Sequence, residues 1–153
     1  MQGLLDLRAS VNRRLSEQFG EGFWITNLTE KGVLFEMRRS SVYVARHRNK
    51  LLATVALSTR KPWAIDAKYF SKSRAPLCLT SMAVDPRHQG KGLGRGCIDE
   101  VRRLAMECSG DAIRMDAYDV AAGAGGFYRK CGFRLRGRAS YRGVPLVYFE
   151  MLL

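Results

Sequence analysis

The sequence lacks the long apolar runs and targeting patterns that would place it in or across a membrane. No apolar run approaches the roughly 20 residues that a spanning helix needs. Asp6, Arg8, Arg13 and Arg14 interrupt any apolar core near Met1, so no secretory signal is expected. We therefore expect a cytoplasmic protein without a membrane partner. At 153 residues the chain is expected to form one domain, 1–153.

Residues that bind soft metals are also scarce. The four cysteines form no Cys-x-x-Cys pair, and His47 and His88 are the only histidines. This set does not match the ligand spacing of a zinc site, so no metal is expected. All four cysteines fall inside predicted helices or strands, and we expect reduced thiols that are mostly buried.

Acidic residues are few: 14 Asp and Glu stand against 26 Lys and Arg, which gives a net charge of +12. Such a charge can attract a polyanion, an acidic substrate or nucleic acid, or it can be a basic surface without a specific partner. The basic residues are scattered, and the zinc-finger and aromatic ribonucleoprotein patterns are missing. These observations weigh against a nucleic-acid-binding module. They favour a basic surface without a specific partner, on which a few charges bind a ligand locally.

A glycine-rich turn is the most informative feature that is present. The apolar run Leu77–Val84 predicts a strand, glycines follow at every second position of 90–96, and a helical pattern begins there. A strand that leads through glycines into a helix N-terminus is a geometry that binds phosphate, because backbone N–H groups and the helix dipole favour negative charge. Arg87, Lys91 and Arg95 add positive charge around this turn.

The spacing of the turn distinguishes among phosphate-binding loops. No Walker A run is present, and the dinucleotide fingerprint fails at its third glycine. The pattern Gln-x-x-Gly-x-Gly at Gln89, Gly92 and Gly94 resembles the coenzyme A pyrophosphate loop of the GNAT acetyltransferase superfamily. Tyr128, four residues before Gly132-Phe133, resembles the end of that family's later helix. The two motifs occur in the family's order, about 35 residues apart.

The resemblance implies an enzyme that uses acetyl-coenzyme A. It implies an N-acetyltransferase that moves an acetyl group to a primary amine by direct attack in a ternary complex. Tyr128 would protonate the departing thiolate. The residues that would bind the cofactor belong to the central strand and to the turn: Met82, Ala83, Val84, Gln89, Gly90, Lys91, Gly92, Gly94 and Arg95.

Two departures from the family pattern leave an alternative open. Ala121 stands where the family often has Asn, seven residues before the tyrosine, so Tyr118 or Asp119 would have to supply that hydrogen bond. The family's first β-strand is also expected to be missing, because Leu4, Val11 and Leu15 recur at helical spacing. A coenzyme A-binding sensor or an inactive homologue is therefore the alternative function.

The acceptor site and the general base are not fixed by these motifs. Asp66, Asp116 and Glu150 are candidate bases, a water relay is equally compatible, and we assign no base. The long polar connection 60–76 contains Trp63, which with Asp66 and Tyr118 is expected to form part of the acceptor wall. The partner would be a small-molecule or peptide amine, and an uncovered sheet edge would allow a homodimer.

The apolar patterns predict an α/β fold, with a GNAT-like mixed sheet and helices on both faces. The second helix would be capped by Asn27 or Thr29, and the long helix would bury one face. That face is Leu93, Cys97, Val101, Leu104 and Cys108. The predicted helices are 3–19, 30–39, a long one that ends at Gly110, and 121–130; the predicted strands are 41–47, 51–59, 77–84, 112–118, 133–141 and 146–152.

Overall fold

The computed structural model describes residues 1–25 and 28–153. Helices and strands alternate as the sequence predicts. In chain order they are α1 (Gln2–Phe19), α2 (Glu30–Met37), β1 (Ser41–His47), β2 (Lys50–Ser58), β3 (Pro76–Val84), α3 (Leu93–Glu107), β4 (Ala112–Tyr118), α4 (Gly125–Lys130), β5 (Arg134–Tyr141) and β6 (Val144–Leu152). Short 3-10 turns lie at Ala67–Tyr69 and Pro86–His88. No helix in these two ranges is long and apolar enough to cross a membrane.

The strands form one mixed sheet of six, in the order β1-β2-β3-β4-β6-β5. β3 and β4 are parallel, and the other neighbouring strands are antiparallel. α3 packs on one face, where its buried residues join those of β2, β3, β4 and β6 in the main core. α1 also contacts β2 and β3, but its buried Leu4 and Leu7 lie outside that core, so α1 covers the opposite face. The predicted mixed sheet with helices on both faces is confirmed.

The N-terminal segment is helical, as predicted, and β1 is the first strand along the described chain. Thr29 caps α2, because its side chain accepts a hydrogen bond from the amide of Gly32 at 3.1 Å. The other candidate cap, Asn27, lies outside the described residues. Arg8 of α1 pairs with Glu36 of α2 at 2.6 Å, which ties the two helices together.

Three expectations about helices and cysteines are wrong in detail. The buried residues of α3 are Ile98, Val101 and Ala105, so the buried face is rotated from the predicted one, and Cys108 is exposed. α4 begins at Gly125 rather than at Ala121. Residues 121–124 instead form a turn, in which a side chain on Gly123 would overlap the backbone carbonyl of Tyr118. The four thiols are free, but Cys78 alone is buried.

The connection between β2 and β3 is anchored over the sheet. Ile65 and Phe70 are buried in a second core with Cys78 and Tyr148. The tyrosine hydroxyl of this core donates to the carbonyl of Ala64. Further along, Ser71 N donates to a Glu150 carboxylate oxygen at 3.3 Å, and the Ser71 carbonyl accepts from Arg114 at 2.7 Å. The loop is thus an ordered layer.

Glu150 holds this layer through charge. Its carboxylate is 3% exposed, with Arg114 Nε at 3.3 Å and Arg136 Nε at 3.5 Å. Replacing Glu150 with Ala leaves the mostly buried guanidinium of Arg114 without its counter-charge. We expect the free energy of unfolding to fall by about 3–5 kcal/mol in a denaturant titration. Glu107→Ala is the control; it breaks an exposed pair with Arg103 and should cost at most about 1 kcal/mol. Equal losses would contradict the anchoring role.

Candidate functional site

The parallel strands β3 and β4 separate in the middle of the sheet. They pair only at Pro76–Cys78 with Ala112–Arg114, although β3 continues to Val84 and β4 to Tyr118. Beyond Cys78, the backbone groups of β3 that face β4 therefore have no strand partner in the described part of the chain. The gap is an open wedge with exposed hydrogen-bonding groups along its β3 side.

A β-bulge accompanies the separation. Ala56 pairs with Thr80 and Thr54 pairs with Ala83, so two residues of β3, Ser81 and Met82, stand opposite one residue of β2. Ser81 has a φ of 52°, in the left-handed region that a residue with a side chain seldom adopts. Bulges of this kind bend a strand and occur often next to active sites. The bend turns Met82–Val84 away from β4 and toward the glycine turn.

The glycine turn presents free amides to the same end of the wedge. Gly92 is the N-cap of α3, with a φ of 84°, and the first bond of the helix runs from Gly96 N to the Gly92 carbonyl at 3.0 Å. The amides of 93–95 belong to the first helical turn, so they have no acceptor within the helix. A Cβ on Gly90 or Gly92 would meet nothing within 4 Å. The open space and the free N–H groups suit an anion.

Gly94 has a different environment from Gly92. A Cβ at this position would lie 3.2 Å from the ring of Phe127 and 3.8 Å from the Met82 side chain. Its missing side chain therefore lets α3 approach α4 and β3, in addition to any approach to a ligand. This contact joins the glycine turn to the helix that carries Tyr128.

The charged residues of the turn do not all face outward. Asp85 is 4% exposed and caps the 3-10 turn, and its carboxylate binds Arg87 Nη2 at 2.6 Å. Hydrogen bonds from Arg87 hold the pKa of Asp85 down at about 2, against the opposing effect of burial. Arg87 is thus engaged by its own turn. Lys91 and Arg95 each donate to a backbone carbonyl while remaining exposed, so their charges stay beside the glycines.

Tyr128 lies on the α3 side of the sheet. Its ring is 7% exposed and packs against Phe127, Phe133 and Phe149. In the described part of the chain its hydroxyl forms no hydrogen bond. The hydroxyl oxygen is not fully enclosed, since it is not among the completely buried polar atoms that lack a partner. Tyr128 as a whole is nonetheless buried. Burial, and then the charge of Asp116, raise the pKa of Tyr128, so the phenol is protonated at neutral pH.

Two of the three candidate bases are engaged elsewhere. Asp66 caps the 3-10 turn at Ala67–Tyr69 and pairs with Lys68 at 3.0 Å, and these hydrogen bonds lower its pKa. Glu150 is the anchor of the loop. No other residue in ranges 1–25 and 28–153 donates to the carboxylate of Asp116, and burial raises its pKa. Asp116 is thus the candidate whose carboxylate is not engaged by another residue in the described part of the chain.

The register of β4 places Asp116 at the wedge. Arg114 is the last residue of β4 that pairs with β3, and Asp116 follows two residues later on the same face, about 7 Å along the strand. On β6 it stands opposite Tyr148. Tyr128 approaches from the other face, next to Phe149. The wedge therefore has a phenol on one side and a carboxylate on the other.

The remaining predicted residues lie around the Asp116 face. Tyr118 ends β4 and donates from its hydroxyl to the Phe23 carbonyl at 3.1 Å, which links the strand to the α1–α2 connection. Trp63 is 83% exposed and precedes Ala64, the acceptor of the Tyr148 hydroxyl.

Both residues expected to replace the hydrogen bond of the missing Asn at position 121 already have partners. The hydroxyl of Tyr118 is occupied by Phe23, and Asp119 pairs with Arg138 at 2.9 Å.

Sequence patterns did not indicate the bulge at Ser81 or the contact between Gly94 and Phe127. Both depend on residues that meet only after folding. The pairing of Asp85 with Arg87 had a local signal, because an Asp before Pro at a turn is a common cap.

Comparison with known families identifies the class of protein. Residues 38–135 match the acetyltransferase (GNAT) domain, which is more than half of the chain. The chain therefore belongs to the GNAT acetyltransferase family. The matched range includes β3, the glycine turn, β4 and α4, which are the elements that form the wedge. No curated protein matches the sequence.

Solved structures show the same fold at low sequence identity. The protein smu.2055 from Streptococcus mutans UA159 has a TM-score of 0.73 at 17% identity, over 99% of this chain and 92% of its own. A ribosomal-protein-alanine N-acetyltransferase from Brucella melitensis has a TM-score of 0.69 at 18% identity, over 98% and 94%. A Bacillus subtilis acetyltransferase in complex with CoA has a TM-score of 0.62 at 18% identity, over 82% and 84%.

The open space at Gly92 leads to a test of ligand binding. A Val at this position would fill the space in front of the free amides and would strain a backbone that has positive φ. We expect Gly92→Val to weaken coenzyme A binding at least tenfold in isothermal titration, or about 1.4 kcal/mol. Gly143→Val is the matched control, because Gly143 has a φ of 79° and equally open surroundings in the β5–β6 turn. Unchanged affinity in a folded Gly92→Val protein would remove the turn from the ligand site.

Proposed function

We propose that this chain transfers an acetyl group from acetyl-coenzyme A to a primary amine, by direct attack in a ternary complex. One observation carries the proposal. The wedge between β3 and β4 opens on the strand that leads into the glycine turn with its free amides, and Tyr128 and Asp116 lie on opposite faces of the sheet beside it. The family and the CoA complex of the Bacillus subtilis relative support this use of the wedge.

The chain has groups that fit coenzyme A. The amides of the α3 N-terminus, the side chains of Lys91 and Arg95, and the open space at Gly90 and Gly92 suit a pyrophosphate. Gln89 donates to the Val84 carbonyl at 3.0 Å, which fixes the turn to the end of β3. In the segment Met82, Ala83 and Val84, the backbone groups on the β4 side, which have no strand partner there, would hold the pantetheine amides as a neighbouring strand would. When bound, the cofactor supplies an acyl group already activated as a thioester.

Tyr128 is proposed as the proton donor to the leaving thiolate. A raised pKa keeps the phenol protonated until a stronger base forms beside it. Its aromatic neighbours hold the ring in one orientation, and in this proposal its hydroxyl would face the thioester in the wedge. The residue therefore combines a fixed position with an available proton.

Asp116 is proposed as the group that accepts the proton of the amine, directly or through a water molecule. Burial raises the pKa of this carboxylate and makes it a stronger base than an exposed Asp. It faces Tyr148 and the anchored loop, on the side of the sheet away from α3. Trp63 and Tyr118 border this side and would form part of the acceptor wall. The carboxylate of Asp66 already caps a 3-10 turn, so Asp66 would contribute to this wall only as a neighbouring surface.

The central experiment measures thiol release from acetyl-coenzyme A with a set of primary amines, together with coenzyme A binding. Amine-dependent release supports the transferase. Binding without release on any amine would favour the sensor, the alternative that Ala121 keeps open. No binding at all would contradict both. Association of two copies through the exposed edge of β1 stays a prediction, to be measured by analytical ultracentrifugation.

Tyr128→Phe tests the proton donor. The ring is retained, so the aromatic packing and the coenzyme A affinity should change little. We expect kcat to fall by roughly 10²-fold, because general acid assistance is typically worth 10²–10⁴-fold. The loss should shrink with acyl donors that have more acidic thiols. Suppose that kcat is unchanged under conditions where the chemical step limits the rate. This result would show that Tyr128 contributes packing and not proton donation.

Asp116→Asn tests the base. The carboxylate must be ionised to accept a proton, so kcat/KM should rise with pH through a step that lies above the usual pKa of Asp. The variant should lose that step and at least tenfold in kcat/KM at neutral pH. Asp119→Asn removes a carboxylate of an exposed pair on the neighbouring turn and serves as the control. A pH profile that Asp116→Asn leaves unaltered would favour a water relay without this residue.

A further inference from the structure

The positive charge of the chain is concentrated in two segments that lie beside each other. Residues 60–75 contain five Lys or Arg and one Asp, and residues 134–143 contain four Arg and no acid. Together they carry eight of the twelve net positive charges in a sixth of the chain. These two segments are called the basic surface below.

Contacts show that the basic surface is continuous. Arg136 Nε donates to the Tyr69 carbonyl at 3.1 Å. Gly137 lies against the Tyr69 ring so closely that a side chain there would overlap it. The second core joins Ile65 and Phe70 of the loop to the β5–β6 hairpin through Leu146 and its neighbours.

Much of this charge is not neutralised within the protein. Asp66 pairs with Lys68, Glu150 with Arg136, and Asp119 with Arg138. The remaining basic side chains of the surface have no carboxylate within salt-bridge distance in the described residues. They are Arg60, Lys61, Lys72, Arg74, Arg134 and Arg142, and all six are exposed.

The basic surface borders the proposed acceptor side of the wedge. The hydroxyl of Tyr148, the β6 neighbour of Asp116, donates to the Ala64 carbonyl within the loop. Tyr118 packs at the margin of the second core that the loop covers. An acceptor whose amine reaches Asp116 would therefore extend over the loop and the β5–β6 hairpin. The glycine turn that would hold the cofactor phosphates lies in a different part of the chain.

We infer that the acceptor amine is carried by an acidic peptide that lies along the basic surface, an inference that rests on the proposed transferase function. Carboxylates on the peptide complement the unneutralised Lys and Arg side chains. The length supports a peptide over a small amine, because the eight residues of β5 alone extend about 26 Å.

Nucleic acid and a second copy of this chain fit the same surface less well. Single-stranded nucleic acid needs exposed aromatic rings for its bases, but Lys68 covers Tyr69 and Arg142 covers Tyr141 at 5.4 and 5.3 Å. Trp63 is left as the exposed ring. A second copy that paired through β5 would bring like-charged arginines together.

The experiment compares three acceptor peptides of equal length with an identical N-terminal residue, followed by acidic, neutral or basic residues. Binding is measured by fluorescence anisotropy and acetylation by thiol release, each at low and high salt. We expect the acidic peptide to be favoured at least tenfold in kcat/KM, with the preference lost near 1 M salt, where screening is nearly complete. An equal or larger kcat/KM for the basic peptide would overturn the inference.

Paired variants locate the effect. Lys72→Gln with Arg142→Gln removes two unpaired charges of the basic surface and should lower kcat/KM for the acidic peptide about tenfold, with little change for the neutral one. Arg46→Gln with Lys50→Gln removes two exposed charges at the opposite edge of the sheet and is the matched control. Equal effects of the two double variants would show that the overall positive charge of the protein, and not the basic surface, attracts the peptide. This outcome would overturn the inference.

The binding measurement separates this inference from the proposed function. Suppose that the acidic peptide binds in a salt-dependent way, that Lys72→Gln with Arg142→Gln weakens this binding, and that no peptide is acetylated. This result would support the surface and contradict the transferase. Acetylation of all three peptides with equal kcat/KM would support the transferase and contradict the surface. Tighter binding of a single-stranded RNA of similar charge would show that the surface serves nucleic acid, which also overturns the inference.

Discussion

The separation of β3 from β4 is the constraint on which the rest of the site depends. A continuous parallel pair would satisfy the backbone of Met82–Val84 internally and would place β4 against β3 along its whole length. The pairing ends at Cys78, and three residues further along β3 the bulge at Ser81 interrupts the β2–β3 ladder. Tyr128 and Asp116 then approach one gap from opposite faces of the sheet. The two strands therefore lack part of the hydrogen bonding that a continuous pair would have. The backbone groups left exposed on β3 can bind amide groups of another molecule.

Local patterns were sufficient to predict the elements and the turn. Apolar periodicity predicted the strands and the N-terminal helix. The strand, the glycines of 90–96 and the helix after them indicated a phosphate-binding turn, and the resemblance of Gln89, Gly92 and Gly94 to the GNAT loop suggested coenzyme A as its ligand. Contacts across the chain could not be predicted in this way. The buried face of α3 was misjudged because Leu93 and Cys108 fit the same helical period as Val101, and only packing against the sheet distinguishes the two faces.

The choice among carboxylates shows the same limit. Asp66, Asp116 and Glu150 look alike in the sequence, since each is an acid near apolar residues. The structure separates them by partner: the first caps a turn, the last binds two guanidiniums, and Asp116 is left with a raised pKa. Partners that are 36 residues apart, such as Arg114 and Glu150, are beyond any local pattern.

The contact between Gly94 and Phe127 has a consequence for how such a sequence can change over generations. A side chain at position 94 requires the ring of Phe127 to shift by a few tenths of an ångström, or a smaller residue at position 127. Phe127 also touches the ring of Tyr128, with centroids 5.1 Å apart. A substitution at Gly94 would therefore also disturb the packing around the tyrosine, so changes at positions 94, 127 and 128 depend on one another as the sequence diverges.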